Sequence, residues 1–205
     1  MWKRFDKKTR LFKQSCEKSN LNAQTLGVAT KILKGCGVVA YPTEYCYGLG
    51  CDPMSRFAVE RILQIKKRHW SKGLIVIASD LRQLSGLIDL KKRGLLDEAL
   101  SSWPGPHTWV FPALPRAPKW ICGAHNTIAV RITDHPIALQ LCRNFRSAIV
   151  STSANRSSKP PLRTHHQATA EFGDEVDFVL KGSVGRKSAP STIRDVMSGQ
   201  LIRGA

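Results

Sequence analysis

Three short segments of the chain carry side chains of the types that bind phosphate or carboxylate oxygens. The first is YPTE at 41–44, and the second is KKR at 66–68, at the predicted end of a helix. The third is STSAN at 151–155, directly after an apolar run. Ligands of open α/β sheets bind outside the strand ends, where hydroxyl, amide and cationic groups can hold anions. In this order, the three segments predict one anion-binding site.

Each segment also has a purely structural interpretation. The residues at 151–155 could form a capped turn, and the cations at 66–68 could stabilise a helix C-terminus through its dipole. No Ser-His-Asp or Cys-His arrangement indicates a nucleophile. The six cysteines lack the spacing of zinc ligands and are expected to be free thiols, so no metal site is expected from His and Cys. The adjacent His165 and His166 suit a loop better than a ligand pair.

The elements that must position these segments alternate between helix and strand from residue 21 onward. Apolar spacing predicts a helix capped by Asn22, one over 58–65, one opened by Ser79 or Asp80, and one opened by Asp134 and Pro136. Predicted strands cover 38–41, 74–78, 108–113, 127–132, 148–152, 176–180, 192–196 and 201–203, with a loop through Gly48, Gly50 and Pro53. Several connections are too short for parallel crossovers. The pattern therefore predicts a single α/β domain with an open, twisted, mixed parallel and antiparallel sheet flanked by helices.

Composition narrows the class of protein. The 205 residues are 42% hydrophobic and 23% charged, which is typical of one folded domain and not of a disordered chain. No apolar run approaches the roughly 20 residues that span a bilayer, and the basic N-terminus lacks the apolar run of a secretory signal. We therefore expect a cytoplasmic protein without a membrane partner.

The charge is strongly unbalanced, since 32 Lys and Arg face 15 Asp and Glu, a net charge of +17. Residues 1–20 hold +5 of this and are predicted to be a basic N-terminal extension, either a nucleic-acid or membrane-surface arm or a solvated tail. The remaining +12 lies in the predicted domain at 21–205. Such a surplus indicates polyanionic partners without identifying them.

The ordered motifs resemble the YrdC/TsaC family of threonylcarbamoyl-AMP synthases, in its short bacterial form. The resemblance runs from about residue 21 to 205 and is carried by YPTEYCYGLGCDP at 41–53, KKR at 66–68, KGLI at 72–75, WPGPHT at 103–108, AVR at 129–131, HP at 135–136, STSAN at 151–155 and PSTIRD at 190–195. It implies a YrdC-like fold, similar to the RibB type. It also implies a nucleotidyltransferase that converts L-threonine, bicarbonate and ATP into threonylcarbamoyl-adenylate and pyrophosphate. The product would pass to the tRNA threonylcarbamoyl-transfer proteins.

The resemblance assigns roles to eight residues. Those expected to act at ATP, as catalytic and binding groups, are Lys66, Arg68, Ser153 and Asn155, joined by Arg203 as a further phosphate cation. Those expected at the threonine substrate are Thr43, Arg131 and Ser151. Two structural alternatives stay open: Arg131 could form an ordinary strand-end ion pair, and the Thr43 hydroxyl could bond its own turn. Mg²⁺ is expected to accompany ATP, held mainly by phosphates and water.

Two positions depart from the family pattern. His69 replaces a proline that usually follows the basic motif, which predicts a less rigid loop and a less fixed Arg68. Ser158 replaces a common glycine, and Arg156 adds a cation to the same loop. An alternative function, a double-stranded RNA-binding or ribosome-maturation protein that uses the same basic cleft, is motivated by the +12 charge. Action on another carbamate acceptor is a third possibility.

Overall fold

A nine-stranded sheet organises the part of the chain that the computed structural model describes, residues 23–91, 93–156 and 159–204. The predicted extension at 1–20 and Asn22 lie outside these residues. In chain order the helices and strands are α1 (Ala23–Lys34), β1 (Val39–Pro42), β2 (Tyr47–Gly50), α2 (Arg56–Ile65), β3 (Ile75–Ala78), α3 (Arg93–Ser102), β4 (His107–Pro112), α4 (Lys119–Cys122), β5 (Thr127–Ile132), α5 (Pro136–Phe145), β6 (Ile149–Ser153), α6 (His165–Phe172), β7 (Phe178–Val179), β8 (Thr192–Asp195) and β9 (Leu201–Arg203).

The order of the strands across the sheet is β7-β1-β2-β6-β3-β5-β4-β8-β9. The pairs β1–β7, β3–β5 and β4–β8 are parallel, and the other neighbours are antiparallel. Short links join the antiparallel pairs β1–β2 and β8–β9, whereas the parallel pair β3–β5 is separated by α3, β4 and α4. The prediction of an open mixed sheet flanked by helices is confirmed. No helix in the described ranges is long and apolar enough to cross a membrane.

The two faces of the sheet are covered differently. Successive side chains of a strand point to opposite faces, so Val76 and Ala78 of β3 pack in one core cluster and Ile77 packs in the other. The second cluster lies beneath α1 and α5, which contribute Leu33 and Leu141. Further along the strands on this same face, the helices no longer cover the sheet. An open cleft lies there.

The predicted loop through Gly48 and Gly50 is wrong, because Tyr47–Gly50 forms the buried strand β2 between β1 and β6. Glycine is usually a loop signal, but here it lets neighbouring groups approach closely. A Cβ at Gly50 would lie 2.5 Å from the carbonyl oxygen of Val150 and 2.6 Å from Cε1 of Tyr41. Gly50 is therefore required by packing and not by a turn.

Other boundaries differ by smaller amounts. The predicted strand at 176–180 is reduced to Phe178–Val179, and α5 is capped by His135 instead of Asp134, with Pro136 as its first residue. Arg131 lies inside β5, whose bounds are those predicted. The histidines expected in a loop begin α6, because Thr164 and Gln167 form a capping box there. Asp80 does open a helix, the short 3₁₀ helix Leu81–Leu84, and its Oδ1 accepts from the Arg82 amide at 2.8 Å.

Candidate active site

The open part of the sheet face contains a cleft of about 520 Å³. Its floor follows the period of the strands: Thr127, Ala129 and Arg131 of β5 line it, while Ile128 and Val130 between them pack in the core. Seven of the eight residues predicted for the site line this cleft: Thr43, Arg68, Arg131, Ser151, Ser153, Asn155 and Arg203. The eighth, Lys66, lies beside it.

Lys66 directly follows α2 and contacts the loop after β6. Its Nζ donates to the carbonyl oxygens of Ser153, at 2.6 Å, and of Asn155, and to Oδ1 of Asn155 at 3.1 Å. The Ser153 hydroxyl donates to the same Oδ1 at 2.7 Å. Burial, together with the charge of Arg68, lowers the pKa of Lys66 to about 8. The basic motif and the Ser-x-Asn motif thus form one hydrogen-bonded unit at the cleft edge.

Arg68 is held by the turn that follows it. Its Nε and Nη2 donate to the carbonyl oxygen of Gly73 at 3.2 and 2.9 Å. Gly73 has a φ of 59°, and a Cβ there would lie 2.9 Å from the carbonyl oxygen of Cys122, so this carbonyl orientation depends on glycine. Burial lowers the pKa of Arg68. The guanidinium is therefore anchored on one side and lines the cleft on the other.

His69 occupies the position where the resemblance expects proline. Its φ is −64°, within the range that a proline ring imposes, and its Nδ1 accepts from the backbone amide of Ser71 at 3.3 Å. The side chain thereby caps the 3₁₀ helix Trp70–Lys72. Histidine supplies a side-chain cap at this position where proline would supply a rigid ring. Ser158, the other departure, lies outside the described residues.

Three guanidinium groups, those of Arg68, Arg131 and Arg203, line the cleft. Arg203, on β9, donates from Nη2 to the carbonyl oxygen and hydroxyl of Ser191 at 2.8 and 3.2 Å. Burial lowers its pKa, and the charges of Arg131 and Arg68 lower it further. Among the described residues that line the cleft there is no carboxylate. The site therefore has a strong positive potential and is suited to an anionic ligand.

Arg131 pairs with a residue that the sequence did not single out. Its Nη1 lies 3.3 Å from Oε2 of Glu44, and both side chains are buried. The Thr133 hydroxyl donates to Oε1 of Glu44 at 2.6 Å. Burial opposes ionisation of Glu44, but Arg131 and the Thr133 hydrogen bond outweigh it, so its pKa lies below the usual value. The ion pair expected as the structural alternative for Arg131 is present, and Arg131 still lines the cleft.

Thr43 and Ser151 lie on either side of Gly48. A Cβ at Gly48 would lie 3.3 Å from Cγ2 of Thr43 and 3.5 Å from Oγ of Ser151. The Thr43 hydroxyl donates to the carbonyl oxygen of Cys46 at 2.8 Å, as the turn alternative predicts. Both residues are buried and line the cleft, so a small polar corner adjoins the guanidinium of Arg131.

The cleft has further lining residues that sequence reasoning missed. Lys72 and His125 add polar groups, and Cys46 adds a buried thiol whose pKa is raised to about 11 by burial. An apolar group also contributes, consisting of Leu74, Val110, Ile121, Ile193 and Ile202. Period-two alternation along β5 could have located Thr127 and Ala129 once Arg131 was chosen. In the described part of the chain, no group of three His, Cys, Asp or Glu residues is placed to hold a metal ion.

An open mixed sheet with arginines, hydroxyls and an amide around one cleft defines an α/β domain whose cleft is suited to anionic ligands. Comparison with known proteins is more specific. Residues 31–205 match the model of the Sua5/YciO/YrdC family, described as "Telomere recombination". The chain belongs to this family, and the resemblance drawn from the motifs is confirmed.

Curated relatives cover nearly the same length of chain. A threonylcarbamoyl-AMP synthase from Coxiella burnetii is 44% identical over 180 residues, 88% of this chain and 97% of the relative. Another protein of that name, from Nitrosococcus oceani, is 46% identical over 176 residues, which cover 86% of this chain and 95% of the relative. The sequence similarity therefore extends over most of the chain.

Solved structures support the same fold. P. abyssi Sua5 complexed with L-threonine is 32% identical, with a TM-score of 0.81, and the match covers 87% of this chain and 53% of that one. This chain thus spans about half the length of Sua5. E. coli YciO has a TM-score of 0.76 at 24% identity, with 90% of each chain covered, and shows the fold alone.

Proposed function

We propose that this protein is a threonylcarbamoyl-AMP synthase that forms threonylcarbamoyl-adenylate and pyrophosphate from L-threonine, bicarbonate and ATP. The observation that carries the proposal is the convergence of Arg68, Arg131, Arg203 and the Ser153–Asn155 segment on one cleft. Relatives of this name, 44–46% identical, match the chain over almost their entire length. The double-stranded RNA-binding alternative is not favoured, because these relatives carry an enzyme's name.

The proposed reaction has two bond-forming stages. The threonine amine first attacks the carbon of bicarbonate, and loss of water leaves a carbamate. A carbamate oxygen then attacks the α-phosphorus of ATP, the bond from that phosphorus to the α,β-bridging oxygen breaks, and pyrophosphate leaves with the electron pair. Neither stage needs a protein nucleophile or a redox change. Positioning of the reactants and neutralisation of phosphate charge therefore supply most of the catalysis.

The cationic side of the cleft suits the triphosphate. Arg68 and Arg203 are anchored by backbone carbonyls and can direct their remaining N–H donors to phosphate oxygens. Ser153 and Asn155 offer a hydroxyl and an amide nearby, held in place by Lys66. We assign these five residues to ATP. Lys66 acts by fixing the loop and by adding positive charge.

The polar corner at Thr43 and Ser151, next to Arg131, suits threonine. A guanidinium can bind the substrate carboxylate in two-point fashion, and the hydroxyls can bond the amine, the carbamate or the substrate hydroxyl. The Sua5 relative that was solved with L-threonine supports a threonine site in a domain of this fold. We therefore place the amino acid at β5 and β6, with the phosphates toward Arg68.

Mg²⁺ is proposed to enter with ATP as part of the substrate. The described lining residues offer hydroxyl and amide oxygens but no carboxylate, so they do not form a protein cage for a divalent ion. Phosphate oxygens and water would hold the metal. Its contribution would be to reduce the charge of the triphosphate.

The downstream partners follow from the chemistry of the product. A mixed anhydride between a carbamate and AMP is an activated donor, so it has to reach its acceptor before water hydrolyses it. We propose that it passes to the proteins that transfer threonylcarbamoyl to tRNA, and that the reaction takes place in the cytoplasm. The surplus of positive charge suits work near tRNA without specifying an RNA contact.

The proposal is tested by incubating the purified protein with L-threonine, bicarbonate and ATP labelled at the α-phosphate. Pyrophosphate release and a labelled adenylate are expected only when all three substrates are present. Omission of threonine and omission of bicarbonate are the two controls. Pyrophosphate release that does not depend on threonine, from protein with a cooperative unfolding transition, contradicts the assignment.

A further inference from the structure

We propose that Glu44 is a positioning residue for amino-acid recognition, holding the Arg131 guanidinium where it binds the carboxylate of the substrate. The inference rests on the proposed function for the identity of the substrate. It extends that function by assigning the acidic residue of the 41–44 segment, which contributes no atom to the cleft lining. Glu44 therefore acts through Arg131 and not on the substrate.

Arg131 has unused hydrogen-bonding capacity. Its Nε is buried and has no hydrogen-bond partner in the described part of the chain, and neither has Oε2 of Glu44. Nη1 of Arg131 lies 3.3 Å from Oε2 of Glu44, which is close enough for charge attraction but not in hydrogen-bond geometry. Buried N–H donors without acceptors are costly. Arg131 also lines the cleft, so the part of its guanidinium that faces the cleft can bind a ligand carboxylate.

Glu44 is itself held in place by its neighbours. Its Oε1 accepts from the Thr133 hydroxyl at 2.6 Å and from the Asp134 amide at 3.3 Å, which directs Oε2 toward Arg131. Its backbone is covered by Gly185, where a Cβ would lie 2.5 Å from the Glu44 carbonyl oxygen. These contacts hold the carboxylate in an orientation that presents its negative charge to Arg131.

The two proposed substrates bring different anionic groups into the same cleft. Arg68 and Arg203 are anchored to backbone carbonyls, whereas no hydrogen bond within the described part of the chain holds Arg131 in the same cleft. A free guanidinium would also attract the triphosphate. The fixed charge of Glu44 keeps Arg131 beside Thr43 and Ser151. It thereby separates a carboxylate subsite from the phosphate subsite.

The test compares Glu44→Gln with a matched control, Glu60→Gln. Glutamine keeps an oxygen acceptor for Thr133 but removes the charge that faces Arg131. Glu60 forms an exposed pair with Arg56 at 2.7 Å and lies outside the cleft lining. Pyrophosphate release is measured while threonine and ATP are varied separately. Glu44→Gln is expected to raise the KM for threonine about tenfold, as for loss of a charge-assisted interaction, and to leave the KM for ATP unchanged.

Because Glu44 is buried, a second variant keeps the inference testable if Glu44→Gln does not fold. Thr133→Val removes the 2.6 Å hydrogen bond to Oε1 without changing a charge, and it is expected to raise the KM for threonine by a smaller factor. An unchanged KM for threonine in the folded variants, or an equal rise in both KM values, overturns the role of Glu44. Absence of threonine-dependent turnover in the unmodified protein instead overturns the proposed function.

Discussion

The ammonium nitrogen of Lys66 lies 3.1 Å from Oδ1 of Asn155, although 89 residues separate the two along the chain. Lys66 also contacts the carbonyl oxygens of Ser153 and Asn155, so its three N–H donors all point to one loop. The end of α2 and the end of β6 are thereby joined at the cleft edge. Changes at Lys66 should therefore alter both the local charge and the shape of this loop.

Replacement of Lys66 by alanine should remove most of the synthase activity and leave the fold intact. The side chain is only half-buried at a helix end, so little packing is lost, but the Ser153–Asn155 loop loses its cross-link and the phosphates lose a cation. We expect kcat/KM to fall about 100-fold or more, the size typical of removing a preorganised charge-stabilising donor. The measurement is threonine-dependent pyrophosphate release.

Lys31→Ala is the control for that prediction, because Lys31 is an exposed cation on α1, outside the cleft lining. Its activity should match that of the unmodified protein. That result would show that the position of the lost charge, and not the net charge of the protein, determines the activity. Circular dichroism and a denaturant midpoint confirm that both variants are folded. Full activity of Lys66→Ala would show that the phosphate site is elsewhere.

The affinity for ATP should decline as the pH rises above about 8, because the pKa of Lys66 is lowered to about 8 by burial and by Arg68. For a lysine the protonated form carries the charge, so the positive charge is present below this pKa and is lost above it. Lys66→Arg keeps its charge at every pH in this range. The Kd of ATP, measured by calorimetry from about pH 7.5 to about 9.5, should rise for the unmodified protein and stay nearly constant for the arginine variant. Parallel curves for the two proteins would contradict the titration of Lys66.

Arg156 should stabilise the loop that follows Asn155. Its Nη1 donates to the carbonyl oxygen of Ile65 at 3.0 Å, its Nε pairs with Glu171 at 2.7 Å, and its guanidinium lies 4.6 Å from the centre of the Phe172 ring. Because this arginine joins α2 to α6, Arg156→Ala should lower the free energy of unfolding by about 1–2 kcal/mol, given the usual size of partly exposed ion pairs and cation–π contacts.

The matched comparison for Arg156 is Arg56→Ala, which breaks one exposed ion pair with Glu60 within a single helix. That variant should cost less than about 0.5 kcal/mol, as exposed pairs four residues apart in a helix usually do. Urea unfolding gives both values under the same conditions. If the two variants have equal midpoints, the contacts of Arg156 do not brace the loop.

The sequence predicted those elements that can be recognised from the apolar residues of a single segment. Strand β5 was predicted with the bounds observed, Thr127–Ile132, because it contains the apolar run at 128–130, and α2 was predicted from its apolar face at 58–65. The eight site residues were assigned through the family resemblance, which the basic motif at 66–68 and the small polar residues at 41–44 and 151–155 help to carry. Seven of them line the cleft.

Relationships between distant segments could not be obtained in this way. The pairing of Glu44 with Arg131 depends on the sheet order, which places β1, β6 and β5 across the same face. The pattern of residues within one strand does not reveal which strands lie next to it in the sheet. The acidic residue of the 41–44 segment was therefore visible as a motif but not as the partner of an arginine.

Strand β2 was predicted as a loop, because the sequence does not show how closely other segments pack against its glycines. Gly50 offers a direct test. An alanine there would place its Cβ 2.5 Å from the Val150 carbonyl oxygen and 2.6 Å from the Tyr41 ring, and both neighbours are buried. Because backbone and ring would have to move, Gly50→Ala should destabilise the fold by about 2–3 kcal/mol, the upper range for overpacking a core.

Gly27→Ala, within α1, is the matched change, because nothing lies within 4 Å of its Cβ position. It should stabilise the protein by up to about 1 kcal/mol through helix propensity. Denaturant midpoints that shift in opposite directions are expected. A neutral Gly50→Ala would mean that β2 tolerates a side chain there and that the sequence pattern of a loop was the better description.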